Sequence, residues 1–115
     1  LSPDAFARDN AQALRAFIAA SAEGWRDYVN LDPKPAHDLI RKVNREATAT
    51  RLDQGRQALN LNAIVEGGDA ALFGLGSMSE ARWQAFFTSI EATGVVPAGT
   101  NWREAFSDIY LPGRS

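Results

Sequence analysis

The apolar residues of this chain recur at helical spacing in five separate segments, and only one short stretch alternates as a strand would. That stretch is Leu59-Asn60-Leu61-Asn62, and no second segment exists to pair with it. An amphipathic helix places its apolar residues at i, i+3, i+4 and i+7, whereas a half-buried strand alternates strictly. The expectation is therefore an all-α chain of about five helices forming a single helical domain over residues 1–115. Alanine is abundant, and alanine is the best helix former.

The first segment runs from about Ala11 to Val29. Leu14, Phe17, Ile18, Ser21, Trp25, Tyr28 and Val29 share one face, with Asn10 as its N-cap. Ala13, Ala16, Ala20 and Gly24 form a small-residue stripe beside that face, which would let another backbone approach. A short helical turn is expected before it, around Ser2-Pro3-Asp4 and Phe6. The second segment opens at Asp32-Pro33, where Asp caps and Pro needs no hydrogen-bond partner for a missing N–H. Ala36, Leu39, Ile40 and Val43 are its expected buried stripe, Asp38 and Lys42 an expected i, i+4 pair, and Asn44 its end.

The third segment, about Thr48 to Asn60, carries Gly55 in its middle. A mid-helix glycine costs about 1 kcal/mol relative to alanine, so close packing is the expected reason for it. Residues 66–78 hold four glycines and read as a loop with one helical turn near Asp69–Phe73. Leu72, Phe73 and Leu75 are too apolar for a free linker and should tuck against the helices or against something else. The fourth helix starts at Ser77 or Ser79, aligns Trp83, Phe86, Phe87 and Ile90, and ends at Gly94. The fifth is expected over about Thr100 to Tyr110. Trp25, Trp83, Phe86 and Trp102 read as core, since burying each is worth roughly 1.5–3 kcal/mol.

Composition narrows the chemistry. Twelve Lys+Arg stand against 14 Asp+Glu, a net charge of -2, without basic blocks suited to a phosphate backbone; nucleic acid is not an expected partner. No apolar run reaches the ~20 residues that span a bilayer. Cysteine is absent, which removes thiolate catalysis and cysteine metal sites from this chain, and a single His37 excludes a site needing two imidazoles. His37 is expected at a solvent-facing or boundary position near Arg41. Glu66 and Asp69 are two carboxylates without further ligands, a poor cation site. Asp4, Asp9, Asp53 and Arg56 read as surface charges, and Arg41, Lys42, Arg45, Arg51 and Arg56 as a solvated basic face. No catalytic, cofactor or metal residue is assigned. The chain opens on Leu1 and not Met, as expected of a processed or excised piece.

Several of these segments, in order, are similar to the carboxyl-terminal part of ABC-transporter solute-binding proteins. The family is the one that binds thiamine-precursor pyrimidines, with relatives for alkylsulfonates, nitrate and similar solutes. Asn10-Ala11-Gln12-Ala13-Leu14-Arg15-Ala16-Phe17 followed by Gly24-Trp25 resembles one of its helices, with Ala11 where a Pro is usual. Asp32-Pro33 resembles the next helix start. Gly76-Ser77-Met78-Ser79 with Trp83 resembles its Gly-x-Met stretch and following Trp. Ala92-Thr93-Gly94-Val95-Val96-Pro97 and Phe106-Ser107-Asp108-Ile109-Tyr110-Leu111-Pro112 resemble its helix stop and closing segment, the first with Thr93 inserted and the second without the usual Asn.

The resemblance implies a two-lobed α/β periplasmic-binding-protein fold of type II, of which these helices would be the last part. It implies a non-enzymatic, periplasmic or extracytoplasmic component that binds a small solute in an interlobe cleft and presents it to a cognate ABC permease. It implies no cofactor, and no ligand residue carries over. Trp25, Tyr28 and Trp102 are the aromatic side chains that would reach a cleft if any did. Pyrimidine synthases of the same fold use an active-site His and cysteine-rich iron-binding segments, and this chain has no cysteine. The alternative is a self-contained helical interaction module, with the small-residue stripe and Leu72–Leu75 as its partner surface and self-association as its signature.

Overall fold

The computed structural model describes residues 1–113, and among them are six α-helices, one 3-10 turn and no strand. The helices are α1 (Asp4–Asp9), α2 (Ala11–Asn30), α3 (Lys34–Val43), α4 (Ala49–Leu61), α5 (Asp69–Phe73) and α6 (Glu80–Ala92); the 3-10 turn is Trp102–Ala105.

Local chemistry sets the ends. The Thr48 hydroxyl accepts from the Arg51 amide and opens α4, and the Ser79 hydroxyl accepts from the Arg82 amide and opens α6. Ser77 is not the cap; its hydroxyl donates to the Phe73 carbonyl at 2.9 Å. Asn10 stands at the start of α2 as expected but caps nothing with its side chain, which donates back to the Phe6 carbonyl. The Asp32 carboxylate accepts from the Lys34 amide beside Pro33, and Asn44 ends α3. Gly94 follows α6 with φ of 76°, the left-handed turn that stops a helix.

The expected fifth helix is reduced to four residues. Phe106 turns extended (φ -142°, ψ 157°) and its ring stacks on Trp83 at 5.0 Å, with Trp102 parallel at 6.5 Å. Continuing the helix would carry that ring off the aromatic stack, and offset stacking with burial outweighs a few helical hydrogen bonds at a chain end. The tail then runs back to the rest of the molecule. The Arg15 guanidinium donates to the Ile109 carbonyl and lies over the Tyr110 ring, and Leu111 is buried.

The junction of α2, α3 and α4 is built on the C-terminus of α2. The last carbonyls of a helix have no partner within it. Here Arg56 of α4 donates to three of them: Nε to Tyr28 at 2.8 Å, and Nη2 to Val29 at 3.1 Å and Leu31 at 2.9 Å. The Asn60 amide adds a second bond to Val29 at 3.0 Å. Arg56 is thus no member of a solvated basic face, and its positive charge sits at the negative end of the α2 dipole.

Little else is buried. Among the described residues the buried apolar ones are Ala7, Ala22, Val29 and Leu111, and the accessible surface is 8668 Å². A folded chain of 12.5 kDa normally exposes about 6,200 Å². The radius of gyration is 17.1 Å, against about 13 Å for a compact domain of this length. Trp25 and Phe86, expected in the core, are 48% and 58% exposed; Trp83 and Trp102 are half-buried. Leu39, Ile40 and Val43, the expected buried stripe of α3, face outward, as do Leu72 and Phe73. Close packing at Gly55 is also absent, and a Cβ built there or on Gly24 meets nothing within 4 Å.

Because Arg56 carries three charge-assisted bonds, replacing it should be costly where neighbouring arginines are not. Arg56→Ala is expected to lower the unfolding free energy by about 2–3 kcal/mol in urea titrations, while Arg51→Ala stays within about 0.5 kcal/mol.

Candidate functional site

The most polar interior point of the chain lies on the same junction. His37 is 7% exposed, the one buried polar or charged side chain among the described residues. Its Nε2 is 2.8 Å from the Tyr28 hydroxyl, and its Nδ1 is 3.5 Å from an Asp53 carboxylate oxygen. The Tyr28 ring meets the imidazole edge-on at 5.5 Å, and Trp25 meets Tyr28 edge-on at 6.1 Å. The boundary position expected for His37 is therefore corrected: it points inward, and Asp53 is its neighbour, not a plain surface charge.

With the proton on Nδ1, the side facing Asp53, Nε2 accepts from the Tyr28 hydroxyl. A carboxylate, an imidazole and a hydroxyl in this order resemble a nucleophilic triad. The geometry differs in two ways. The hydroxyl is a phenol, and the 3.5 Å separation between Nδ1 and Asp53 is longer than a hydrogen bond. What the cluster does physically is hold α3: His37 is the buried residue of that helix.

A second cluster joins segments far apart in sequence. Gly76, with φ of 84°, sits against Leu111, whose Cδ2 is 3.1 Å from where a Cβ on Gly76 would lie. The Ser79 amide donates to Asp69 at 3.2 Å, linking the start of α6 to α5. A cavity of about 290 Å³ opens here between Phe73, Ser77, Met78, Glu80, Phe106 and Asp108. A neighbouring cavity of about 550 Å³ lies between the 62–70 loop and Arg82 and Trp83. The non-glycine residue of that loop with positive φ is Ala63, at 48°; Gly68 also has positive φ, at 57°.

The remaining candidates separate. Glu66 accepts from the Asn30 amide at 2.9 Å and Asp69 from Ser79, so the two carboxylates do not converge. No group of three metal-ligating side chains occurs among the described residues. Arg41, Lys42 and Arg45 line an open groove of about 430 Å³ with Asp38 and Ala47. The expected Asp38–Lys42 pair is replaced by Asp38–Lys34 at 2.7 Å. Trp102 lies under the Arg103 guanidinium at 4.4 Å, and Arg103 pairs with Glu80. No helix among the described residues is long and apolar enough to cross a membrane.

No family model, curated protein or solved structure matches this chain.

Two measurements check this geometry. Tyr28→Phe should cost about 1 kcal/mol of stability by removing one partner of a buried nitrogen, read by thermal or urea unfolding. The hydrogen bond from Lys34, and then its charge, hold the Asp38 carboxyl below the usual carboxylate range, while the bond to Asp38 raises the Lys34 ammonium. The Asp38 contribution is present above the ordinary carboxylate pKa and lost as pH falls through its lowered value. The Lys34 contribution is present below the ordinary ammonium pKa and lost as pH rises through its raised one. Lys34→Met should move the Asp38 titration upward in carboxyl NMR shifts, with little change in overall stability because both groups are exposed.

Proposed function

We propose that this chain is the helical carboxyl-terminal part of a solute-binding component of an ABC transporter, of the kind that takes thiamine precursors, sulfonates, nitrate or similar small solutes. The observation that carries the reading is the outward apolar face. An accessible surface roughly 2,500 Å² above that of a compact chain of this mass is what a domain-sized cover would remove. Leu39 and Val43 on α3, Phe17 on α2 and Phe86 on α6 stand more than half exposed, and single scattered apolar residues alone would need no such account.

The resembling segments also meet in space. The Gly76 turn and the closing Tyr110-Leu111-Pro112 are 35 residues apart from Gly76 to Leu111, yet Leu111 is buried against Gly76. The Gly94 stop takes the left-handed conformation such a helix end requires. Gly24 and Gly55 leave backbone open on helical surfaces, where an approaching element would find room.

In this reading the chain contributes scaffold, and the solute contacts lie mainly on the preceding lobes. Solute binding would favour the closed arrangement of those lobes by differential affinity, and the permease would meet the loaded form. The localisation is extracytoplasmic and the role is non-enzymatic. A self-contained interaction module is favoured by the same exposed surface and differs in having no covering lobe of its own.

Reading the coding DNA upstream of the Leu1 codon tests the proposal. It should contain about two hundred codons of alternating α/β character behind a secretory signal. A start codon at or just before Leu1 would defeat it.

A further inference from the structure

Helix α3 has ten residues and very little packed against it. Eight of the ten are exposed, Ala36 is half-buried, and His37 is the one that is buried. An isolated helix shorter than about 12–15 residues is marginal in water, so α3 keeps its shape only while docked. Among the described residues, His37 is also the one α3 side chain with a hydrogen bond or ion pair to another helix. It reaches Tyr28 of α2 at 2.8 Å and Asp53 of α4 at 3.5 Å. Lys34 and Asp38 pair with each other.

The segment that carries α3 is tied off at both ends. Just before it, the Leu31 carbonyl accepts from Arg56; just after it, the Thr48 hydroxyl caps α4. Helices α2 and α4 meanwhile hold each other directly, Arg56 on the Tyr28 and Val29 carbonyls and Asn60 on Val29. None of those bonds passes through residues 32–47. That segment can leave and return while the α2–α4 junction stays formed.

We propose that residues 32–47 are a flap that opens as a unit from the α2–α4 junction, with His37 as its latch. Local opening costs only the contacts that the moving segment makes, and these are few. Outside α3's own helical bonds they centre on the imidazole: the Tyr28 hydroxyl bond, the edge-on Tyr28 ring at 5.5 Å and the Asp53 carboxylate. Opening uncovers the Tyr28 phenol, releases Asp53 and lets α3 melt. The flap does not depend on the solute-binding reading, and either can fall without the other.

Hydrogen–deuterium exchange read by mass spectrometry on the full gene product tests this. In the unaltered protein, amides of 37–44 should exchange at least about fivefold slower than in an unstructured peptide, yet at least about tenfold faster than those of 22–31 and 52–62. His37→Ala should bring 37–44 to within about twofold of the unstructured rate while 22–31 and 52–62 stay protected. Asn60→Ala removes a bond that is present whether the flap is open or closed. It should speed 22–31 and 52–62 by at least about threefold and leave 37–44 unchanged within about twofold. Equal protection of the three segments in the unaltered protein overturns the proposal, as does a 37–44 segment already at the unstructured rate. So does protection of 37–44 that survives His37→Ala, or that falls in step with the junction in Asn60→Ala. Loss of protection throughout the chain in His37→Ala overturns it too, because a latch releases the flap alone.

Discussion

The arrangement of the first four helices depends on how the C-terminus of α2 is satisfied. A helix end leaves carbonyl groups that must find donors or water. The Tyr28, Val29 and Leu31 carbonyls take Arg56, and Val29 also takes Asn60. Arg56 and Asn60 are four residues apart on α4 and therefore project from one face. A single helix face thus grips a single helix end, which fixes which side α4 presents to α2. Asp53, three residues before Arg56, is then brought to His37, and His37 sets the rotation of α3. Polar geometry, not apolar burial, aligns this half of the chain.

That order of causes explains the exposed surface. Hydrogen bonds to charged donors are directional and worth roughly 1.5–3 kcal/mol each, so a few of them hold elements in register without a large core. They leave the apolar stripes wherever the register places them. In α3 the stripe is turned outward, and in α6 Phe86 faces away while Trp83 meets Phe106. A chain that relied on its own burial would rotate these helices inward; this one spends its side-chain geometry on holding them out.

Helix existence was legible in the sequence because it is local. The 3.6-residue period, the hydroxyl caps at Thr48 and Ser79 and the glycine stop at Gly94 all act within a turn of the residue concerned. The stripes are legible too, but a stripe does not say whether something covers it, and Trp25 and Phe86 stand about half exposed. His37 was misplaced because it is adjacent to the apolar stripe, and periodicity sees only apolar residues. Arg56 and Asp53 read as surface charges in the sequence because their partners lie 16 to 28 residues away. The one hint was in the spacing: Asp53, Arg56 and Asn60 fall at i, i+3 and i+7, a polar face as regular as any apolar one. The fifth helix failed for a tertiary reason, since Phe106 leaves helical geometry to join the Trp83 stack.

Gly55 sharpens what kind of surface the outward faces are. In the middle of an exposed helix a glycine is worse than alanine by about 1 kcal/mol, and nothing within 4 Å of a Cβ there offsets that cost. The helical conformation at Gly55 does not call for glycine either, since it is not among the residues of positive φ. Within these 115 residues the position is thus simply unfavourable. An element packing directly on that stretch of α4 would reverse the sign, because a methyl group would then hold two backbones apart. The same argument applies to Gly24 on α2, where alanines at 13, 16 and 20 continue the same shallow line. Outward apolar stripes, glycines without neighbours and the polar junction that fixes the stripes' directions occur together in this chain. All three acquire a physical purpose together once the helices are read as one side of a larger interface.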